Sequence, residues 1–507
     1  MGFLNMKNIC RNTMDKYDLD LSVFERYKHL GSDYPYYFEA DPGHFHYTVE
    51  SALRANPKIE RSIDPVGIVE MLSRGNLLGQ RTLLKGLRKA PWRAVPDGRG
   101  GWDYAEIPKH GRAIIPDGEL VRRFREALER EGLIYLNGRK RVGILLSGGM
   151  DSRIVAGIVK VLQLRGDFPG EVVGITWGIP GSRDMAYSAE VAKRLGWEQL
   201  EFQLNPEQLL ENIHVAGEMG AEFAPYHLHA LPKVANLKNF DAIIFGNYGD
   251  GVGRAEYSGV RVEALKPLVG KNLNRYGLVL DSVLEAARTR IHEDAYGHRI
   301  NIQRDLEYQY REIEYQMNCI RRRSQAVASC VGKHIPIFQM FTSPDVFGLV
   351  WGLDPSVRDD RIYKGLLEVL PGKLGEIPWA RTGRVFGMQA GESDTRTKEY
   401  HRYGQWLRND LRKEVLCLVN SDVIRELGVF NEASLDAMIQ IWPKAKTVTT
   451  NHIDENIGWL ASLSVFINRY GIGSKESGKR NLADVRNTLL GSFRGWTYLS
   501  MRNRYRH

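Results

Sequence analysis

Hydrophobic positions in the middle of the chain fall in short runs separated by amphipathic stretches. Val142 to Leu146 is an apolar run that enters Ser147-Gly148-Gly149. A helical stretch at 152–164 follows, then a β-branched run from Val172 to Trp177. Asp184 to Leu195 carries Met185, Ala189, Ala192 and Leu195 at offsets of three and four, the spacing of one helix face. Leu200 to Leu204 reads as a third strand, and Asp241 to Phe245 as a fourth that again ends in glycine. Strands alternating with helices predict an α/β fold built on a parallel sheet. Such sheets bind ligands at the carboxyl ends of their strands, where these glycine loops sit.

The flanks read differently. Residues 1–60 mix charged and aromatic positions without a clean period. Asp64 to Leu72 predicts a short helix, with Asp64 as cap, Pro65 in the first turn and Ile68, Met71 and Leu72 on one face. Pro91, Pro96, Gly98, Gly100 and Gly101 mark a loop or hairpin. Asp117 to Glu131 predicts an amphipathic helix on Leu120, Phe124 and Leu128. From Asp305 onward helical patterns dominate, and Asn456 to Tyr470, apolar nearly all round, predicts a buried core helix. These shifts divide the chain into an N-terminal region (1–116), an α/β domain (117–390), a helical part (391–474) and a basic tail (475–507).

Composition adds exclusions. The 507 residues are 43% hydrophobic and 26% charged, a globular balance that excludes a mostly unfolded or fibrous chain. No apolar run reaches the length of a membrane span, and the start has no signal-like apolar core. Four cysteines without a CxxC pair exclude a disulfide framework and point to a reducing, cytoplasmic setting. The net charge is +9. After Ser474 there are eight basic residues against two acidic ones, so most of the surplus sits in the tail. That tail offers a surface to an anionic partner: nucleic acid, an anionic membrane or an acidic protein. Its plainest reading is a solvated helix or a frayed terminus.

The chemistry concentrates in Ser147-Gly148-Gly149-Met150-Asp151-Ser152, between a strand and a helix. Two glycines let backbone N–H groups turn toward an anion, and a helix N-terminus favours negative charge. Ser147 and Ser152 add hydroxyl donors. Asp151 would repel a phosphate, so its presence implies a bridging Mg2+. The loop resembles the SGGxDS pyrophosphate loop of the PP-loop ATP pyrophosphatase superfamily, which cleaves ATP between its α and β phosphates. Two further stretches narrow the resemblance to asparagine synthetases. Gly178 to Asp184 with Ala189 to Gly196 is similar to their G-x-P-G-S-x-D…A-x-x-V-A-x-x-L-G segment, and Phe245 to Asp250 to their S-G-E-G-x-D-E loop. Gly332 to Phe338, Lys364 to Pro371 and Asp64 to Leu87 resemble further family segments.

The resemblance implies a Rossmann-like sheet that binds ATP and Mg2+. Ser147, Gly148, Gly149, Asp151 and Ser152 would hold pyrophosphate and metal. Leu145 would pack on the adenosine, Thr176 or Trp177 would lie near the adenine, and Gly246 would approach the nucleotide by its backbone. Asp250 would be the second carboxylate of the metal or pyrophosphate site. The implied activity is a ligase that adenylates a small-molecule or peptide carboxylate and forms an amide. A PP-loop activity on RNA, a ligase acting on a cell-surface saccharide, and nucleotide binding without turnover are the alternatives.

Several positions depart from the family pattern. The cysteine nucleophile of its glutaminase would stand at position 2, which is Gly2; the first cysteine is Cys10. Glutamine hydrolysis is therefore not expected, and ammonia or a substrate amine would supply nitrogen. Asn247 replaces the glutamate of the third motif, and Gly251 the one after its Asp. The family's catalytic lysine aligns near Trp379 to Gly383, where Arg381 supplies the only positive charge. His227 and His229, like His44 and His46, carry no zinc spacing and read as structural. Arg321 to Arg323 read as a solvated helix face, with one arginine reaching the active cleft as the alternative, and Cys319 and Cys330 as buried fillers. Trp496 and Tyr498 in the tail stack on bases, meet a membrane interface or dock on the body.

Overall fold

The computed structural model describes residues 34–388, 394–474 and 478–504, apart from the side chain of Gln325. The expectations for Gly2, Cys10, Lys475 and Arg506 lie outside the described residues.

The described chain opens with an antiparallel three-stranded sheet in which β1 (Tyr36–Phe38) pairs with both β2 (Asp41–His46) and β3 (Leu87–Lys89). Between β2 and β3 lies α1 (Pro65–Arg74). Its start follows the expected chemistry: Asp64 accepts the Val66 N–H at 3.0 Å, with proline in the first turn. Gly75, at φ +75°, ends it in the left-handed conformation. The glycine- and proline-rich stretch after β3 is a hairpin, Ala94–Pro96 against Trp102–Tyr104.

Helix α2 (Asp117–Leu136) runs five residues beyond its expected end, because Gly132 and Leu136 continue its buried face. It leads into the central sheet. Its strands are β4 (Arg141–Leu145), β5 (Glu171–Gly178), β6 (Glu198–Gln203) and β7 (Ala242–Phe245), joined by α3 (Met150–Arg165) and α4 (Arg183–Leu195). A fifth strand, β8 (Ile337–Gln339), pairs Ile337 with Ile243 of β7. All four pairings are parallel, in the order β8-β7-β4-β5-β6. The sheet is Rossmann-like α/β, as expected. Strand β8 was not anticipated: three residues inside a helical half carry no alternation to read.

From β4 the chain winds first toward β6 and then, after β7, the other way. The sheet reverses between β4 and β7, and that crevice is where open α/β sheets take ligands. A short helix, α5 (Gly249–Arg254), follows β7, and α6 (Asp360–Val369) packs on it. The C-terminal part is helical. Helix α7 (His452–Tyr470) is buried on nearly every face, as its composition predicted, and is capped by Asn451. The basic tail forms α8 (Leu482–Arg504). No helix of the described residues is long and apolar enough to cross a membrane.

The N-terminal segment does not stand apart. Phe38, Leu53, Ile68 and Leu84 share one hydrophobic core with Leu284, Leu435, Leu460 and Phe466. A second core lies under the sheet, where Ile144, Ile154 and Val191 meet Phe124 of α2 and Leu366 of α6. The arginine run is a correction. Arg321 and Arg322, each 1% exposed, are interior groups on a π-helical segment, Tyr315–Gln325. Arg321 donates to the Ala90 carbonyl at 2.8 Å and faces the Tyr34 ring, while Arg322 lies 3.4 Å from Glu222 and donates to the Arg81 carbonyl. Pairing with carbonyls, a carboxylate and a ring is what allows an arginine inside. Cys319 and Cys330 are buried.

Candidate functional site

The loop after β4 and the start of α3 form one wall of a cavity of about 520 Å3. Gly149 is the N-cap of α3 and no side chain caps that end, so the helix presents uncapped N–H groups beside the cavity. The loop folds on its own serines: Ser147 N–H donates to Ser152 Oγ at 3.2 Å, and Gly149 N–H to Ser147 Oγ at 3.2 Å. The Gly148 N–H donates to an Asp184 carboxyl oxygen at 3.0 Å, so that amide is already paired.

Gly148 is not in the cavity wall. A Cβ there would come within 2.4 Å of Ala380 Cβ, so the glycine packs the loop against the hairpin Pro378–Trp379 / Arg384–Val385. The same junction is held by Arg153, whose guanidinium donates to the carbonyls of Gly148 at 3.0 Å, Ile377 at 2.6 Å and Pro378 at 2.5 Å. Burial pushes Arg153 down to about 10, still protonated at neutral pH.

The opposite wall comes from β7 and α5. Gly246, Asn247, Tyr248, Asp250 and Gly251 line the cavity with Leu145, Ser147, Gly149, Asp151, Ser152 and Thr176. Two glycines set the approach. A Cβ at Gly246 would lie 2.9 Å from the Ser152 nitrogen, and one at Gly249 would lie 2.3 Å from Asp151 Oδ1. Gly246 therefore lets β7 close on the start of α3, and it also lines the cavity. Tyr248, at φ +77°, holds the turn between strand and helix in a conformation unusual for a side-chain-bearing residue.

This geometry brings Asp151 and Asp250 together across the sheet reversal. Burial pushes the Asp151 carboxyl well above the usual carboxylate range, and the charge of Asp250 adds to the rise; Arg254 opposes it. Asp151 Oδ1 is buried without a hydrogen-bond partner. Arg254, itself buried, pairs with Asp250 and lies 2.6 Å from Asp360. Burial disfavours the Arg254 charge, but its carboxylate neighbours outweigh that and raise its pKa. Two adjacent carboxylates, one with an orphaned oxygen, fit a divalent cation that takes its remaining ligands from phosphates and water. No cluster of three or more acidic, histidine or cysteine side chains suited to a metal occurs among the described residues.

The far side of the cavity is aromatic. Thr176, Trp177, His227, His229 and Tyr400 line it. His229 has φ +48°, stacks on Trp177 at 5.8 Å and on Tyr403 at 5.7 Å, and its Nδ1 lies 3.0 Å from the Tyr403 hydroxyl. Burial pulls the His229 imidazole well below its ordinary value, and burial with Arg323 takes His227 to about 3. Both rings are neutral at physiological pH and provide flat, uncharged faces. Sequence reasoning had set these histidines aside, since ring stacking leaves no spacing signature.

Arg381 is not part of the wall. It sits on the exposed hairpin, 3.4 Å from Glu256, which does line the cavity. Glu256, Arg254 and Tyr363, which lies beside Asp151, were missed because nothing in their local pattern shows that the fold gathers them here.

Residues 123–252, from within α2 to within α5, match the family model for asparagine synthase. No curated protein matches the chain significantly. Among the solved structures that match, two overlap the chain as follows. The U34-tRNA thiolase NcsA from Methanococcus maripaludis, with its [4Fe-4S] cluster, is 16% identical over 39% of this chain and 76% of its own, with a TM-score of 0.21. The NMN synthetase from Francisella tularensis is 14% identical over 40% of this chain and 94% of its own, also with a TM-score of 0.21. The sheet order described above, rather than these low-scoring overlaps, establishes the fold.

Proposed function

We propose that this chain is an ATP-dependent carbon–nitrogen ligase that adenylates a carboxylate and passes the acyl group to ammonia or to an amine. The observation that carries this reading is the pairing of Asp151 with Asp250 at the sheet reversal, beside a serine–glycine loop on an uncapped helix end. The asparagine synthase match over the same segment supports it.

In this reading the triphosphate lies along the start of α3, with Ser147, Gly149 and Ser152 as donors. The adenine lies toward Thr176 and Trp177. Asp151 and Asp250 would hold Mg2+, which offsets charge on the departing pyrophosphate. A carboxylate oxygen of the acceptor attacks the α-phosphorus, the bond to the bridging oxygen breaks, and pyrophosphate leaves. The amine then attacks the acyl carbon, and AMP leaves. The chain contributes mainly position and charge. In this reading ammonia or an acceptor amine, rather than glutamine, supplies the nitrogen.

Incubation with ATP, Mg2+ and candidate acids should yield AMP and pyrophosphate and support exchange of labelled pyrophosphate into ATP. ADP and phosphate as products would overturn the reading. Nucleotide binding without turnover is favoured by one feature: Arg381 is exposed and paired with Glu256, and no lysine among the described residues replaces it in the cavity wall. Saturable ATP binding with no exchange across a broad panel of acids would select that second reading.

A further inference from the structure

Helix α8 is turned the wrong way for a solvated helix. One face is firmly seated. The Asp484 carboxylate, fully buried, accepts the Asp281 N–H at 2.8 Å. Asn431 donates to the Asp484 carbonyl and to Thr488 Oγ1, both at 3.0 Å. Gly491 meets the Tyr276 backbone, where a Cβ would come within 2.1 Å, Gly495 meets Ile441, and Leu499 is buried. Asn503 ties the last turn to the Lys444 carbonyl at 2.9 Å. The orientation of the helix is therefore fixed.

The face left outward is apolar. Leu482, Val485, Leu489, Phe493 and Trp496 follow one another at steps of three and four residues and are 89%, 48%, 69%, 65% and 56% exposed. A helix seated on a globular body ordinarily turns polar residues outward. Exposed basic residues flank this stripe: Lys479 and Arg480 just before the helix, then Arg486, Arg494 and Arg504 within it. The only acid in Leu482–Arg504 is Asp484, and it faces inward.

We propose that α8 is a docking surface for an anionic lipid bilayer, its leucine, phenylalanine and tryptophan side chains entering the headgroup boundary and its arginines meeting acidic lipids. Apolar stripe, interfacial tryptophan and a one-sign charge flank are the combination that holds a helix in a membrane interface. A second copy of the chain on this face would set arginine against arginine. A nucleic-acid strand would satisfy the charges and leave the leucines in water.

The full-length protein should co-sediment with vesicles containing about a third phosphatidylserine, at least about tenfold more tightly than with phosphatidylcholine alone, and added salt should weaken the association. Phe493→Ser with Trp496→Ser, at exposed positions, should reduce binding at least about tenfold. Arg486→Glu with Arg494→Glu should do the same on anionic vesicles only. Pyrophosphate exchange read on the same variants should be unchanged, which separates this test from that of the proposed ligase. Failure to sediment with anionic vesicles overturns the proposal. So does self-association of the wild type that Phe493→Ser with Trp496→Ser abolishes, or binding to RNA but not to vesicles.

Discussion

In the proposed site Asp151 would give up a proton to take a cation. Its carboxyl is raised by burial and by Asp250, so near neutrality it keeps a proton more readily than an ordinary aspartate. The sign follows. A cation requires the deprotonated form, so its binding displaces a proton, and its affinity rises with pH through the raised pKa before levelling off. Calorimetric titration of the protein with preformed MgATP at about pH 7, where the nucleotide has already released its own proton to the metal, in buffers of different ionisation enthalpy, should give different apparent heats. Asp151→Asn should remove that difference and lower turnover by about a hundredfold or more. Equal heats in both buffers with the wild type would show that Asp151 is not the ligand.

A second carboxyl at this scale tests burial away from the site. Glu314, fully buried beside Arg299, is pushed up to about 7 by burial. A carboxyl raised in the folded state adds stability below its unfolded value and loses it as pH climbs toward 7. Glu314→Gln should therefore flatten the stability profile between about pH 4.5 and 7, a change on the order of 2 kcal/mol. Urea unfolding at pH 5 and pH 8 reads it directly; parallel profiles for the two proteins would contradict the assignment.

Among elements, the decisive contact is α5 against the start of α3. Gly249→Ala would force a methyl to within 2.3 Å of Asp151 Oδ1. Overpacking of this kind costs about 1–3 kcal/mol and would part the two carboxylates. Saturable Mg2+-dependent ATP binding should weaken sharply. Gly118→Ala, in α2 with open space around it, should instead stabilise by about 0.5 kcal/mol and leave binding unchanged. If both variants bind ATP like the wild type, α5 does not shape the site.

That contact also marks where the sequence stopped being legible. The strand–loop–helix units were readable because buried parallel strands are continuous apolar runs and their loops end in glycine. Asp151 and Asp250 could be paired in advance because both follow such strands. The packing role of Gly246 was not legible, since a glycine that admits a phosphate and one that admits a helix look the same in one dimension. His229 and Trp177 meet by stacking, and Arg254 reaches Asp250 from the far end of a six-residue helix. Such contacts depend on tertiary approach rather than on local period. Arg321 and Arg322 were read as solvated because a run of three arginines ordinarily is; the Ala90 and Arg81 carbonyls that take them inside lie more than 200 residues away in sequence.

At the scale of the whole molecule, the N-terminal sheet and the C-terminal helices close one core, so they should lose structure together. Trp459 of α7, 2% exposed, donates to the Ala221 carbonyl at 2.8 Å, just before the segment that carries His227 and His229 into the cavity. Phe38 and Leu84 belong to that same core. A ligand that binds only the folded chain stabilises everything that unfolds with it, by about 2.7 kcal/mol at a hundred times its dissociation constant. Saturating MgATP should therefore slow hydrogen exchange at the β1 and β3 amides Tyr36–Phe38 and Leu87–Lys89, although neither strand lines the site. Trp459→Ala should cost about 3–5 kcal/mol and bring their exchange forward with that of β4 and β7. If MgATP protects only residues 141–252 and leaves the N-terminal strands unchanged, the shared core does not unfold as one unit, and the sheet that binds the nucleotide is energetically independent of the helices around it.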